Sequence, residues 1–257
     1  MQDKTALVTG ATSGIGRVTA LELARKGATV IVVGRNESKA REVVSAIQNE
    51  TGNERVSYLL ADLSSVSATK ALSEELHRKF DRLDVLVNNA GLASGLDKLQ
   101  DGDVEDWDKM IDTNVKGLLF VSRQIIPKMI AQGHGHIVNI GSIAGKEIYP
   151  NGNVYCGTKH MVDALNLSMR RELAEHGIKV SAVNPGAVET EFSLVRLHGD
   201  AEKAKKVYEG FENLVAEDIA DAIYYIISRP ERVNINDLVI MPKAQPAAGQ
   251  IIRDKGY

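Results

Sequence analysis

Tyr155 and Lys159, in "YCGTK", stand four residues apart. In a helix beginning near Asn153, that spacing puts both side chains on one face, one turn apart. A free phenol, with a pKa of about 10, is a poor base at neutral pH. A neighbouring ammonium stabilises the phenolate and brings proton exchange toward the working range. Ser142 lies upstream, just after the apolar run "HIVNI". On a parallel sheet that is the carboxyl end of a strand, where ligands bind, and a hydroxyl there hydrogen-bonds a carbonyl as it becomes an alkoxide. Taken singly, each feature has a plainer explanation: Y-x-x-x-K arises by chance, and a serine after a strand often caps a turn. Together they describe a proton-transfer site.

Such a site needs elements that position it and a group that does the redox work. At the start of the chain, "LVTGATSGIG" runs from a strand pattern into a helix pattern. The turn spans Gly10, Thr12, Ser13, Gly14, Ile15 and Gly16, with the spacing G-x-x-x-G-x-G. Without a Cβ the backbone turns sharply and a phosphate comes close, and the helix behind it offers free N–H groups and a positive dipole end. Strand, glycine turn and helix in this order predict a dinucleotide site. The second strand ends in "VVGRNESK", with Gly34 then Arg35 where an acidic residue would select the adenosine 2′-hydroxyl. Arginine offers a charge-assisted fork to a 2′-phosphate, and Arg17 and Lys39 add positive charge nearby. The expected cofactor is therefore NADP, with NAD as a weaker alternative.

Apolar, β-branched runs at 5–9, 29–33, 56–61, 83–88, 136–140, 179–184 and 238–241 alternate with helical patterns such as "IGRVTALELARKG" and "HMVDALNLSMRREL". Runs this apolar are buried on both faces, as in a parallel sheet covered by helices on each side with right-handed crossovers. The prediction is an α/β, single-domain, Rossmann-like, doubly wound parallel sheet of about seven strands, spanning 1–257. Residues 190–215 break the rhythm and are expected to form an insertion with a small helical segment that lies over the site as a lid.

Composition bounds the rest. Hydrophobic residues make up 44% of the chain and charged residues 25%, and 31 Lys plus Arg against 34 Asp plus Glu leave a net charge of -3. That balance argues against a nucleic-acid surface, and "KAKK" at 203–206 reads as a solvated helix face. The chain shows neither a signal-peptide core nor a run long enough to span a membrane, and Cys156, its only cysteine, excludes an intrachain disulfide. These features predict a cytoplasmic protein. His134 and His136 flank a glycine but lack further metal ligands, so no metal is expected.

"TGATSGIG", "NNAG" (88–91), "DTNV" (112–115), Ser142, "YCGTK" (155–159) and "NPGAVET" (184–190) occur in this order across nearly the whole chain. The set resembles the short-chain dehydrogenase/reductase family. The resemblance implies Tyr155 as general acid/base, Lys159 as the residue that lowers its pKa and holds the nicotinamide ribose, and Ser142 as the carbonyl-orienting hydroxyl. It implies that Asn114 holds a water in a proton relay to the lysine. Asp62 and Leu63 match the pair beside the adenine. Asn89, Ala90 and Gly91 match the turn against the adenosine ribose, with Asn88 a structural neighbour. Pro185, Gly186, Val188 and Thr190 match the nicotinamide cradle. The family resemblance also implies a homotetramer built on "VKGLLFVSRQIIPKMI" and "HMVDALNLSMRREL", with C-terminal tails contributing.

"NPGAVETEFSLVRLHGDAEKAKKVY", "VNIN" and "MPKAQPAAG" are similar to the NADP-dependent 3-hydroxy acid dehydrogenases, which act on serine, allo-threonine and 3-hydroxypropionate-type acids. A small hydroxy acid needs a cation for its carboxylate. Arg196 and Lys146 are the substrate-binding candidates beside Ser142 and Tyr155. Tyr149 is a pocket-wall residue on this reading. Arg35-Asn36 departs from the adjacent arginines common in that subgroup, which puts strict NADP preference in doubt. Two rivals from other classes are an NADPH-binding regulator without turnover and a Ser-Lys hydrolase using Ser142 and Lys159. The hydrolase leaves the glycine turn unexplained.

Overall fold

Seven strands hydrogen-bond in the order β3-β2-β1-β4-β5-β6-β7, every neighbouring pair parallel. They are β1 (Thr5–Thr9), β2 (Thr29–Gly34), β3 (Val56–Leu60), β4 (Val85–Asn88), β5 (Gly135–Ile140), β6 (Ile178–Pro185) and β7 (Asp237–Ile240). The computed structural model describes residues 1–254, so the last three residues of the expected 1–257 span lie outside the described residues. The central strands β1, β4 and β5 are buried along their length, as strands covered on both faces must be. The edge strand β7 alternates exposed and half-buried positions.

The helices are α1 (Gly14–Arg25), α2 (Glu37–Thr51), α3 (Val66–Lys79), α4 (Val104–Ile111), α5 (Leu118–Gln132), α6 (Asn153–Leu173), α7 (Phe192–Arg196), α8 (Ala201–Tyr208) and α9 (Ala216–Ile227). One core layer packs Leu23 of α1, Val43 and Ile47 of α2 and Ile219, Ile223 and Ile226 of α9 against the sheet. The opposite layer uses Leu72 and Leu76 of α3, Val121, Ile125 and Met129 of α5, and Val162 and Met169 of α6. Asn36, the departure noted at the end of β2, is the N-cap of α2: its side chain accepts from the Lys39 amide at 2.9 Å. Residues Asp112–Gly117, which carry the "DTNV" motif, form a π-helical turn joining α4 to α5.

Chain order reverses between β1 and β4, whose carboxyl ends therefore open a crevice between diverging connections. The insertion at 190–215 contains two short helices, α7 and α8. Its neck is closed by Glu189 N–H to Leu214 O at 2.8 Å and Leu214 N–H to Ala187 O at 3.2 Å.

Candidate active site

A cleft of about 370 Å³ runs across the carboxyl ends of the strands. It is lined at one end by Gly10, Thr12, Ser13, Gly14, Ile15, Arg35, Asp62 and Leu63. Asn89, Ala90 and Gly91 line its middle, and Ser142, Tyr155, Lys159, Pro185, Gly186, Val188 and Thr190 its far end. Gly16 is buried just behind the turn on α1.

The glycine-turn end is a backbone construction. Gly10 has φ +62°, and a Cβ there would lie 2.9 Å from the Ala90 Cα, so glycine is required both by conformation and by close approach. Thr9 holds the two turns together: its hydroxyl accepts from the amides of Asn89 and Ala90, each at 3.0 Å, and donates to Val87 O. Asn89 gives its amide to Thr9 O at 2.8 Å and Gly10 O at 3.2 Å, so its side chain fastens the glycine turn. Asn88 is buried and bonded to Ser122 and Asn139, the structural part expected of it. The amino end of α1 makes no side-chain cap at Ser13 and has no acidic residue in its first turn. An anion such as a pyrophosphate fits there.

Of the cations expected around that end, Arg35 lines the cleft. Arg17 faces a neighbouring groove with Glu189, Glu191 and Lys205, and Lys39 lies outside both linings. Arg35 also bears on Asp62, whose carboxyl is held below its ordinary value first by the Ser64 hydroxyl and amide and then by that guanidinium.

The other end is built from buried side chains. Tyr155, Lys159 and Ser142 are all buried. Tyr155 stacks edge-on against Phe192 of α7, with ring centres 5.6 Å apart. Burial pushes its phenol up; the Ser142 hydroxyl, hydrogen-bonded to it, and the Arg196 cation pull it back. The Lys159 ammonium donates to Ile140 O at 2.9 Å and lies 6.0 Å from the Tyr155 ring centre, and burial brings its own pKa down to about 8.

Asn114 sits in the π turn, but its amide is engaged: Oδ1 accepts from Leu92 N–H at 2.8 Å, and Nδ2 donates to Leu92 O at 2.7 Å and Thr158 Oγ1 at 3.1 Å. It ties the loop after β4 to α6.

The two expected carboxylate ligands part company. Lys146 Nζ pairs with Asp163 Oδ1 and Asp237 Oδ2, both at 2.6 Å, and does not line the cleft. Neither of those carboxylates lines the cleft, so the structure places this ammonium away from the site, against the expectation. Arg196 is not among the lining residues either, but it lies beside them in a small adjoining pocket shared with Tyr155, its guanidinium carbon 5.6 Å from the Tyr155 ring centre. Nε donates to Gly95 O at 3.2 Å and Nη1 to Tyr149 Oη at 2.8 Å. Tyr149 is thus an anchor for Arg196 and does not line the cleft as expected. Gln245, unremarked in the sequence, is buried and accepts from Ala187 N–H at 2.8 Å, pinning the segment that carries Pro185 and Gly186. Cys156 packs in a small apolar cluster with Ala93, Met110 and Ala144. No group of metal-ligating side chains occurs among the described residues, and no helix there is long and apolar enough to cross a membrane.

The model of the short chain dehydrogenase family matches residues 4–198. This chain belongs to that family. A probable NADP-dependent dehydrogenase of Haemophilus influenzae is 43% identical over 98% of both chains. An NADP-dependent 3-hydroxy acid dehydrogenase of Schizosaccharomyces pombe is 39% identical, again over 98% of each. Among solved structures, the closed form of a serine dehydrogenase complexed with NADP+ superposes with a TM-score of 0.90 at 38% identity, covering 98% of this chain and 100% of that one. Serine dehydrogenase from Escherichia coli gives 0.80 at 34% identity, covering 94% and 99%.

Proposed function

We propose that the protein is an NADP-dependent oxidoreductase that interconverts small 3-hydroxy acids, of the serine, allo-threonine and 3-hydroxypropionate type, with their 3-oxo acids or semialdehydes. One observation carries the reading. A single cleft joins an anion-binding glycine turn and Arg35 to Ser142, Tyr155 and Lys159, and Arg196 lies beside it, 5.6 Å from the Tyr155 ring centre. The similarity to an NADP-dependent 3-hydroxy acid dehydrogenase and to a serine dehydrogenase supports the same chemistry.

When bound, the dinucleotide supplies or takes up a hydride. Gly10, Thr12, Ser13, Gly14, Ile15 and Gly16 would hold its phosphates, Arg35 its 2′-phosphate, and Asp62 and Leu63 its adenine side. Asn89, Ala90 and Gly91 would meet the adenosine ribose, with Lys159 on the nicotinamide ribose and Pro185, Gly186, Val188 and Thr190 around the nicotinamide. Ser142 hydrogen-bonds the substrate oxygen. Tyr155 gives that oxygen a proton during reduction and takes it back during oxidation. Lys159, with a pKa of about 8, resupplies the proton close to neutral pH, by way of a water that Asn114 would hold. In a 3-hydroxy acid the carboxylate lies two carbons from the reacting carbon. Arg196, fixed by Gly95 and Tyr149, meets it with a charge-assisted hydrogen bond.

The insertion at 190–215 acts as the lid that brings Arg196 and Phe192 to the substrate. Exposed apolar side chains on α4, α5 and α6, among them Ile111, Ile130, Met161 and Leu167, suit assembly into a homotetramer, which sedimentation would read directly. The working compartment is the cytoplasm.

The deciding experiment mixes the protein with NADPH and malonic semialdehyde and follows the near-ultraviolet band of the reduced nicotinamide, with NADH in parallel. Loss of the band with semialdehyde alone, faster with NADPH, is expected; tight NADPH binding with no turnover on a panel of 3-oxo acids refutes the reading.

A further inference from the structure

The lysine that does not reach the cleft belongs to a chain of polar groups that ends on the backbone of Ser142. Lys146 Nζ donates to Asp237 Oδ2 at 2.6 Å, and Asp237 Oδ1 accepts from Asn184 Nδ2. Asn184 Oδ1 in turn accepts from the Ser142 amide at 3.1 Å. Asn184 is 1% exposed, and its oxygen sits so close to Gly141 that a Cβ there would lie 1.9 Å away. The residue before Ser142 is therefore glycine because Asn184 occupies the space a side chain needs.

The direction of these bonds is enforced chemically. An ammonium only donates, and an ionised carboxylate only accepts. Asp237 must therefore take the NH2 side of Asn184, which leaves the carbonyl side facing the Ser142 N–H. Were the amide flipped, two N–H groups would oppose each other in a buried site. Asp163, paired with the same lysine, steadies the far end from α6.

We propose that Lys146, Asp237 and Asn184 are positioning residues, which fix the amide orientation of Asn184 and through it the place of the Ser142 hydroxyl. This rests on the role given to Ser142 in the preceding reading.

An amide at position 237 no longer dictates the direction, so Asp237→Asn is expected to lower kcat about tenfold. NADPH affinity should stay near wild type, since none of these three side chains lines the cleft. Adding Asn184→Asp restores an obligate acceptor. The new carboxylate at position 184 takes the Ser142 N–H and the NH2 of the amide at position 237, whose oxygen takes Lys146. Asp237→Asn/Asn184→Asp should therefore recover most of the lost kcat. Should the single variant fold poorly, the folded double variant decides. Wild-type kcat in Asp237→Asn, or a double variant no better than the worse single, overturns the inference. Ser142→Ala is measured alongside: lost activity there with full activity in Asp237→Asn removes the inference alone, whereas full activity in Ser142→Ala removes the reading beneath it.

Discussion

At the glycine-turn end of the cleft the chain presents backbone; at the Ser142 end it presents side chains held by other side chains. Around Gly10 and Gly14 the binding groups are amides, and the supporting contacts, from Thr9 and Asn89, also go to backbone. Around Ser142, Tyr155 and Lys159 the working groups are buried and ionisable, and they are set by Asn184, Asp237, Tyr149 and Arg196. Recognition of a phosphate group needs N–H groups at a helix end, which any sequence compatible with the turn provides. Proton transfer needs particular atoms at particular places, and each is costly to bury without a partner. The first end should therefore respond to changes of shape, and the second to changes of chemistry.

The largest effect belongs to the chemical end. Tyr155→Phe keeps the ring against Phe192 and removes only the hydroxyl, so kcat should fall about 10³-fold while NADPH still binds. Rapid turnover in this variant would remove the distinction altogether. At the other end, Gly10→Ala places a Cβ against Ala90 at positive φ, which costs about 1–2 kcal/mol in backbone conformation alone. NADPH affinity should weaken about tenfold or more, with kcat at saturating cofactor close to wild type. Titration by fluorescence separates the two quantities.

Arg196→Gln tests the substrate side. Loss of one charge-assisted hydrogen bond is worth about 1.5–3 kcal/mol, so KM for a 3-hydroxy acid should rise about tenfold or more. KM for the corresponding uncharged diol should hardly move. Lys146→Met is the contrasting probe: KM for the acid should stay within about twofold, because that ammonium is committed to Asp163 and Asp237.

The smallest effect is on stability. Lys159 titrates at about 8 in the folded protein against 10.5 ordinarily. Below the folded value it is charged in both folded and unfolded chains, and the folded state carries the full cost of burying the charge. Between the two values the unfolded chain holds the extra proton, so stability rises with pH across that window. Lys159→Met carries no such cost. Its stability advantage over the cofactor-free wild type, about 1–3 kcal/mol on the acid side, should fade as pH rises through the window, as denaturant midpoints would show.

The same contrast separates what is legible in the sequence from what is not. β1, β2 and the glycine turn are legible because strand, turn and helix are contiguous and their periodicities are local. Tyr155 and Lys159 are legible because one helical turn relates them. Lys146 is misleading because its nearness to Ser142 along the chain says nothing about Asp237, 91 residues away. Tyr149 is undervalued by its neighbours in sequence because its partner, Arg196, lies 47 residues on. The direction of the Tyr155 shift is hidden for the same reason: a helix face reveals the neighbouring ammonium, but only packing reveals how deeply the phenol is buried.

By itself, then, the sequence determined the elements, the glycine turn and the pairing of Tyr155 with Lys159 on one helix face, since those follow from residue type and short-range spacing. Tertiary structure decided which cation lies beside Tyr155, which one pairs with Asp163 and Asp237, and how the Ser142 amide is held. Those outcomes depend on which distant groups share one buried space, where every donor must meet an acceptor and every charge a partner.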